Sequence, residues 1–253
     1  MKKILITGGS DGIGLAAARR LAAEGAALTL VARHAPTLLA ALQSLPGTGH
    51  QHLAADLSTP EGVGRVAQLL DENRYDVFLN NAGAGLYGRF GALPLARQLP
   101  MMHLNMDAVT VLAHHYLAQA RPGDALVNTA SFVGFTSMPG AAVYAATKAY
   151  VASLSESLWW EYKKRGVYVL GFNPGSTDNN FHAHAGGSRD TFPAANRQTT
   201  DEVAGELVRA LRKRAKPRVV SGALNRLILF GQRWLPRAAA VNIMGGLGPA
   251  KER

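Results

Sequence analysis

The sequence of 253 residues contains no cysteine, and only 17% of its residues are charged. Without cysteine the chain can form neither a disulfide nor a thiolate metal site. It has no uninterrupted apolar run of roughly 18 residues, so no membrane-spanning helix is predicted. The apolar run after Lys2 and Lys3 ends at Gly8, too short for the core of a signal peptide. We therefore expect a cytoplasmic protein, with ample hydrophobic residues (47%) for one sizeable core.

Acidic residues are scarce in the C-terminal part of the chain. Residues 206–253 hold 11 of the 27 Lys and Arg but only 2 of the 17 Asp and Glu, so they carry +9 of the formal net charge of +10. Such a basic end can meet nucleic acid, anionic lipid or an acidic carrier. It can equally be a solvated surface, or one paired within an oligomer. We favour these two interpretations over a binding surface for such a partner, and we expect no nucleic-acid partner.

Short apolar runs alternate with segments of helical periodicity. The predicted strands are residues 2–8, 27–33, 50–57, 75–83, 124–131, 167–175 and 217–222. The predicted helices are residues 12–25, 36–45, 59–73, 93–120 with an interruption at Pro100, 141–166, and 200–214 with Thr200 as cap. Strands that alternate with helices require crossover connections. The pattern predicts an α/β fold: a single Rossmann-type, doubly wound domain whose seven-stranded parallel sheet has helices on both faces.

The segment TGGSDGIG places Gly8, Gly12 and Gly14 between the first predicted strand and its helix. Glycines allow a tight turn and a close approach to a pyrophosphate, and the helix offers free amide hydrogens and its positive dipole end. The second strand ends at Arg33, where an NAD site usually has a carboxylate for the ribose. An arginine suits a 2′-phosphate, so NADP(H) is favoured and NAD(H) stays an alternative. Asp11, in the same loop, could repel a phosphate.

Tyr144 and Lys148 lie four residues apart in a predicted helix, so their side chains share one face. A free tyrosine has a pKa near 10 and is a poor base at neutral pH. An ammonium one turn away stabilises the phenolate and would lower that pKa. The residues between the two are small, which leaves room for a cofactor against this face.

Taken in order, these features resemble the short-chain dehydrogenase/reductase family over roughly residues 3–220. TGGSDGIG resembles the cofactor loop of the family, NNAG its motif after the fourth strand, and NPGSTDNNF its motif after the sixth. Tyr144 and Lys148 match its YxxxK motif. PGAAVYAATKAYVASLSESL also resembles a bacterial subgroup of largely unassigned oxidoreductases. The resemblance implies hydride transfer between NADP(H) and a small-molecule carbonyl or secondary alcohol, as in a carbonyl reductase or alcohol dehydrogenase.

The resemblance also implies four catalytic residues. Tyr144 would be the acid/base, and Lys148 would tune it and hold the nicotinamide ribose. Ser131 would hydrogen-bond the substrate oxygen and stabilise charge in the transition state. Asn105 would support a water relay from Lys148 to solvent.

The cofactor contacts follow from the same motifs. Asp56 should lie near the adenine, and residues 81–83 near the adenosine ribose. Where the family often has a threonine that contacts the carboxamide, this chain has Asn179, so Thr177 or the Asn179 side chain is the expected contact. No metal site is predicted. The predicted cofactor-binding residues are Gly8, Ser10, Asp11, Gly12, Ile13, Gly14, Arg33, Asp56, Leu57, Asn81, Ala82, Gly83, Tyr144, Lys148, Pro174, Gly175, Thr177 and Asn179.

Two further segments complete the single predicted domain, residues 1–253. A substrate lid is expected around residues 176–200, with His182 and His184 at the surface or lining the pocket. The basic extension 222–253 is interpreted as a pocket wall or a subunit contact in preference to a peripheral membrane contact. A homodimer or homotetramer is expected, and Trp160 and its neighbour Trp159 either anchor that interface or pack in the core.

Two other functions compete with a general carbonyl reductase. One is a ketoacyl-thioester reductase whose basic end receives an acidic carrier protein. The other is a dinucleotide-sensing binding protein without turnover. The presence of Ser131, Tyr144 and Lys148 together favours an enzyme, because a sensor does not need a tyrosine whose pKa is adjusted by a neighbouring lysine.

Overall fold

The structure, a computed structural model, describes residues 1–188, 191–192, 194 and 197–249. Its strands are β1 (Lys3–Thr7), β2 (Ala27–Ala32), β3 (Gln51–Ala54), β4 (Val77–Asn80), β5 (Ala125–Thr129), β6 (Tyr168–Asn173), β7 (Thr177–Asp178), β8 (Gln198–Thr199) and β9 (Arg218–Val220). Seven of these form a parallel sheet in the order β3, β2, β1, β4, β5, β6, β9, and β7 pairs with β8. The chain winds outward from β1 and then crosses to β4, so the strand order reverses between them. Ligands bind at such a switch point.

The helices lie on both sides of the sheet, which confirms the predicted fold class. They are α1 (Gly12–Ala23), α2 (Ala35–Gln43), α3 (Pro60–Glu72), α4 (Leu95–Met102), α5 (Ala108–Gln119), α6 (Ala142–Lys163), α7 (Phe181–His184), α8 (Thr200–Lys213), α9 (Ala223–Gln232) and α10 (Arg237–Leu247). Among the described residues, every helix is too short or too polar to cross a bilayer.

Two hydrophobic cores hold the layers together. Successive side chains of a strand point to opposite faces of the sheet. Ile4 and Ile6 therefore pack into the core with Leu207 of α8, while Leu5 packs into the core with Leu112 of α5. Because both faces of β1, β2, β4 and β6 are buried, these strands are mostly continuous apolar runs without alternation.

Two predicted helix features differ from the structure. Pro100 lies inside α4, and the irregularity follows it, as a π-helical turn at His103–Asp107. Helix α8 is capped by Thr199 instead of Thr200, because Thr199 Oγ1 accepts from the amide of Glu202 while the Glu202 carboxylate accepts from the amide of Thr199. This reciprocal capping box satisfies two amide donors at the helix end.

Candidate active site

A cleft of about 980 Å³ opens at the carboxyl ends of the strands. It lies where β1, β4, β5 and β6 end, as expected for a parallel sheet. Every predicted catalytic or cofactor-binding residue lines this cleft except Gly14 and Asn105, which lie behind its wall. The structure therefore brings together residues that are widely separated in the sequence.

Ser131, Tyr144 and Lys148 meet at the base of the cleft. Ser131 follows β5, and its hydroxyl lies beside that of Tyr144, which α6 presents, and donates to the Pro174 carbonyl at 3.4 Å. All three are buried, with exposed fractions of 9%, 7% and 3%. Lys148 Nζ donates to the carbonyl of Thr129, the last residue of β5, at 2.8 Å. The end of one strand thus fixes both the hydroxyl and the ammonium.

Burial is the main cause of the shifted pKa values of Tyr144 and Lys148. It raises the pKa of Tyr144 to about 12, although the Ser131 hydroxyl beside it acts in the opposite direction. It lowers the pKa of Lys148 to about 8. The net pKa of Tyr144 is therefore raised, where a lowered value was expected, because removing the phenolate from water costs more free energy than the neighbouring Ser131 hydroxyl restores. The phenol is protonated at neutral pH and can donate a proton.

Asn105 lies fully buried in the π-helical turn. Its amide donates to the Ala84 carbonyl at 2.9 Å and to Thr147 Oγ1 at 3.0 Å, and its carbonyl accepts from the Ala84 amide at 3.0 Å. A Cβ at Gly83 would lie 3.1 Å from Lys148 Nζ and 3.2 Å from Asn105 Oδ1. Asn105 therefore ties the loop after β4 to α6 beside the lysine, and π turns of this kind are frequent at functional sites.

The glycine loop leaves a cradle lined by backbone. Gly8 and Gly12 have φ of +66° and +56°, a region that favours glycine. A Cβ at Gly14 would lie 2.2 Å from the carbonyl oxygen of Gly8, so a side chain there would push the loop open. Asp11 caps α1 by accepting from the Gly12 amide at 2.7 Å. Asn179 reaches over the same loop, with its Nδ2 3.2 Å from where a Gly12 Cβ would be.

Arg33 and Asp56 lie at the far end of the cleft, past β2 and β3. The Asp56 carboxylate accepts from the amide and the hydroxyl of Ser58, at 2.9 and 2.7 Å. The Ser58 amide is the main cause that lowers the Asp56 pKa, and the positive charge of Arg33 adds to it. Arg33 is exposed to the cleft, as a residue that receives a phosphate must be.

Two predicted cofactor residues have side chains that hold strand ends. Asn81 donates to the Thr7 carbonyl at 3.1 Å and accepts from the Thr129 hydroxyl at 3.2 Å. Thr177 donates to the Gly175 carbonyl at 3.1 Å. Asn81 thereby joins the ends of β1, β4 and β5, the strands that shape the middle of the cleft.

An aromatic group on the substrate side was missed by the sequence reasoning, apart from His182. It consists of Tyr87, Phe181, His182 and Phe192. Tyr87 Oη lies 3.0 Å from His182 Nδ1, and Ser176 Oγ lies 3.3 Å from His182 Nε2. The rings of Tyr87 and Phe181 lie 6.4 and 5.6 Å from that of Tyr144. The one sequence signal for Tyr87 is its place in the loop directly after NNAG.

The predicted lid falls partly outside the described residues, at positions 189–190, 193 and 195–196. Its described part includes His182 and His184, which line the cleft as expected. Within the part of the chain that the structure describes, no three His, Asp or Glu side chains form a group that could hold a metal ion.

Known proteins resemble this chain in sequence and structure. A model of the short chain dehydrogenase family matches residues 2–188. The uncharacterized oxidoreductase YbbO of Escherichia coli (strain K12) is 31% identical over 201 residues, 77% of this chain and 73% of that one. The 7beta-hydroxysteroid dehydrogenase of Clostridium sardiniense is 29% identical over 178 residues, 68% of each chain. A short-chain dehydrogenase from Sphingobium yanoikuyae, solved with NADPH, has a TM-score of 0.82 and 31% identity, and covers 92% of this chain and 93% of that one. The chain therefore belongs to the short chain dehydrogenase family of oxidoreductases.

Proposed function

We propose that the protein transfers a hydride between NADP(H) and a carbonyl or secondary alcohol, with Tyr144 as the acid/base. The observation that carries this proposal is the meeting of the buried Ser131, Tyr144 and Lys148 side chains at the base of the cleft. The nicotinamide supplies the hydride, and the developing alkoxide then needs a proton. Tyr144 donates it, since burial keeps its pKa at about 12. Ser131 donates a hydrogen bond to the same substrate oxygen and stabilises its charge.

Lys148 and Asn105 support this proton transfer. Lys148 has a pKa of about 8, so it is mainly protonated at neutral pH and its positive charge stabilises the phenolate that Tyr144 becomes. When the cofactor is bound, Lys148 would also hold its nicotinamide ribose. Asn105 is a positioning residue that keeps the loop at Gly83 and Ala84 beside the lysine, and it is expected to support a water relay from Lys148 to solvent.

The residues present fit NADP(H). The backbone cradle at Gly8, Gly12 and Gly14 would hold the pyrophosphate, and Arg33 the 2′-phosphate. Asp56 and Leu57 would border the adenine, residues 81–83 the adenosine ribose, and Thr177 or Asn179 the carboxamide. The 31% identical relative from Sphingobium yanoikuyae, solved with NADPH, supports this assignment.

We propose a bulky, apolar substrate. The part of the cleft beyond Tyr144 is lined by aliphatic and aromatic side chains, which favour an apolar ligand. The relative from Clostridium sardiniense is a hydroxysteroid dehydrogenase. These apolar lining residues include Leu86, Met101, Met138, Phe192, Ile228 and Met244.

A ketoacyl thioester on an acidic carrier is the second candidate, and the excess of +9 charge in residues 206–253 favours it. Comparing free with thioester-bound ketones separates the two. We also propose a cytoplasmic homodimer or homotetramer. Trp160 of α6 is 71% exposed, whereas its neighbour Trp159 packs against the cores, so Trp160 is the expected interface residue.

The test is the substitution Tyr144→Phe, measured with a panel of apolar ketones while NADPH absorbance is followed. It removes the proton donor but keeps the ring, so turnover should fall at least about a thousandfold. NADPH affinity, measured by fluorescence titration, should change little. A Tyr144→Phe enzyme that still reduces ketones at the wild-type rate would refute the assigned role.

A further inference from the structure

Helix α9 has two faces with different surroundings. Asn225 and Ile228 point inward and line the catalytic cleft. On the opposite side, an outer face consists of Leu224, Leu227, Phe230 and Trp234, which are 41%, 64%, 59% and 80% exposed. Their spacing of three or four residues places them on one side of the helix and its continuation. Four large apolar side chains exposed side by side need a partner.

A second pocket, of about 280 Å³, lies between α9, the start of α10 and the turn after β5. We call it the arginine pocket, because Arg218, Arg233 and Arg237 line it together with the polar residues Thr136 and Ser137. Arg218 is paired with Glu156 at 3.2 Å and stacks on Phe135. Within the described residues, Arg233 and Arg237 have no ion pair. Arg237 is also the first residue of α10, where the helix dipole is positive. The pocket is built for an anion such as a phosphate group.

We propose that the outer face and the arginine pocket together dock the protein onto an anionic phospholipid membrane. The apolar side chains would enter the boundary between headgroups and acyl chains, with Trp234 at the interface, and Arg233 and Arg237 would bind lipid phosphates. Apolar side chains that alternate with arginines on an amphipathic helix fit this chemistry.

Charge decides between a membrane and a second copy of the chain. Two outer faces brought together would also bring together Arg233 and Arg237 of both copies, which form no ion pair within the described residues. Like charges at that separation repel, whereas an anionic lipid surface neutralises them. Nucleic acid would neutralise the arginines but would leave the apolar outer face in water.

Docking would place the catalytic cleft next to the lipid. Met244 of α10 lines the cleft with Ile228, so the same two helices bear both surfaces. An apolar substrate dissolved in the membrane could then enter without crossing bulk water. This consequence depends on the proposed function, whereas docking itself does not.

The experiment is sedimentation of the full-length wild-type chain with vesicles, without substrate. Vesicles of phosphatidylcholine with about one-third phosphatidylglycerol should bind the protein, those of phosphatidylcholine alone should not, and salt should weaken the binding. Phe230→Ala and the double substitution Arg233→Glu with Arg237→Glu should each weaken it about tenfold or more.

Two matched variants serve as controls. Phe90→Ala also removes an exposed phenylalanine, 66% accessible, from a site far along the chain. Arg209→Glu with Lys213→Glu makes the same charge change on exposed positions of α8. Both should bind vesicles much as the wild type does.

Three results would overturn the proposal: equal binding to neutral vesicles, equal loss in the control variants, or a lipid-free oligomer that Phe230→Ala dissociates. The last would assign the outer face to a second copy. Because binding is read without turnover, an inactive protein that still docks would refute the proposed function alone.

Discussion

The two sides of the catalytic cleft are built from different parts of the chain. The cofactor side consists of backbone at strand ends, with glycines at Gly8, Gly12 and Gly14. The substrate side consists of bulky side chains from loops and late helices, such as Tyr87, Phe192 and Met244. Backbone geometry requires particular residues at particular spacings, whereas an apolar wall requires only volume and hydrophobicity. The first side is therefore specified by motifs, and the second can vary with the substrate.

The largest expected effect on cofactor binding comes from Gly14→Ala on the cofactor side. The new Cβ would lie 2.2 Å from the Gly8 carbonyl oxygen, so the loop must move. NADPH affinity should fall at least about a hundredfold, and unfolding should become easier by about 1–3 kcal/mol. Fluorescence titration and thermal melting measure the two changes.

Gly64→Ala is the control for that substitution. Gly64 lies in α3, and a Cβ there would meet nothing within 4 Å. Replacing it should leave NADPH binding unchanged and stabilise the protein by roughly 0.5–1 kcal/mol. If Gly14→Ala bound NADPH normally, the cofactor side would not depend on backbone geometry.

The fold was predictable because most strands of the sheet contain a short apolar run, and these runs alternate with segments of helical periodicity. The predicted strands extended beyond the observed ones, as at residues 75–83 against Val77–Asn80. The extra residues are the turns that form the cleft, and their polarity alone does not reveal where sheet pairing stops. Helices α9 and α10 were not predicted as helices. Their apolar and basic residues fitted a pocket wall, a subunit contact and a membrane contact, and this pattern did not identify the secondary structure.

The part of the site that was predictable consists of the residues that belong to recognisable sequence motifs. A parallel sheet brings strand ends together, so Gly8, Gly83 and Ser131 had to meet. The pKa of Tyr144 was not predictable, because its burial depends on Tyr87 and Phe181, which contact it from a loop and from α7. The sequence shows that Lys148 is near Tyr144, but it does not show that the Tyr144 hydroxyl is removed from water, which is what raises its pKa.

A second prediction tests whether the cofactor side also selects its ligand. Arg33→Asp replaces the cation expected at the 2′-phosphate with an anion, so NADPH should bind at least about tenfold more weakly. NADH lacks that phosphate and should bind with nearly unchanged affinity. Titration of both nucleotides with both proteins measures the difference. Equal weakening of NADPH and NADH would refute the preference for NADP(H).

The smallest effect is expected on the substrate side, from Tyr87→Phe. This change removes the 3.0 Å hydrogen bond to His182 but keeps the ring beside Tyr144. One neutral hydrogen bond contributes about 0.5–1.5 kcal/mol, so KM for an apolar ketone should rise about two- to tenfold, with NADPH affinity unchanged.

Tyr150→Phe is the matched control, because it also removes a tyrosine hydroxyl on a 2.7 Å hydrogen bond, to Thr110, away from the cleft. Its KM should equal that of the wild type. If Tyr87→Phe instead weakened NADPH binding as much as it raised KM, the two sides of the cleft would be coupled through the residue pair Tyr87 and His182. The cofactor side and the substrate side would then be separate in structure, but binding of the cofactor and binding of the substrate would not be independent.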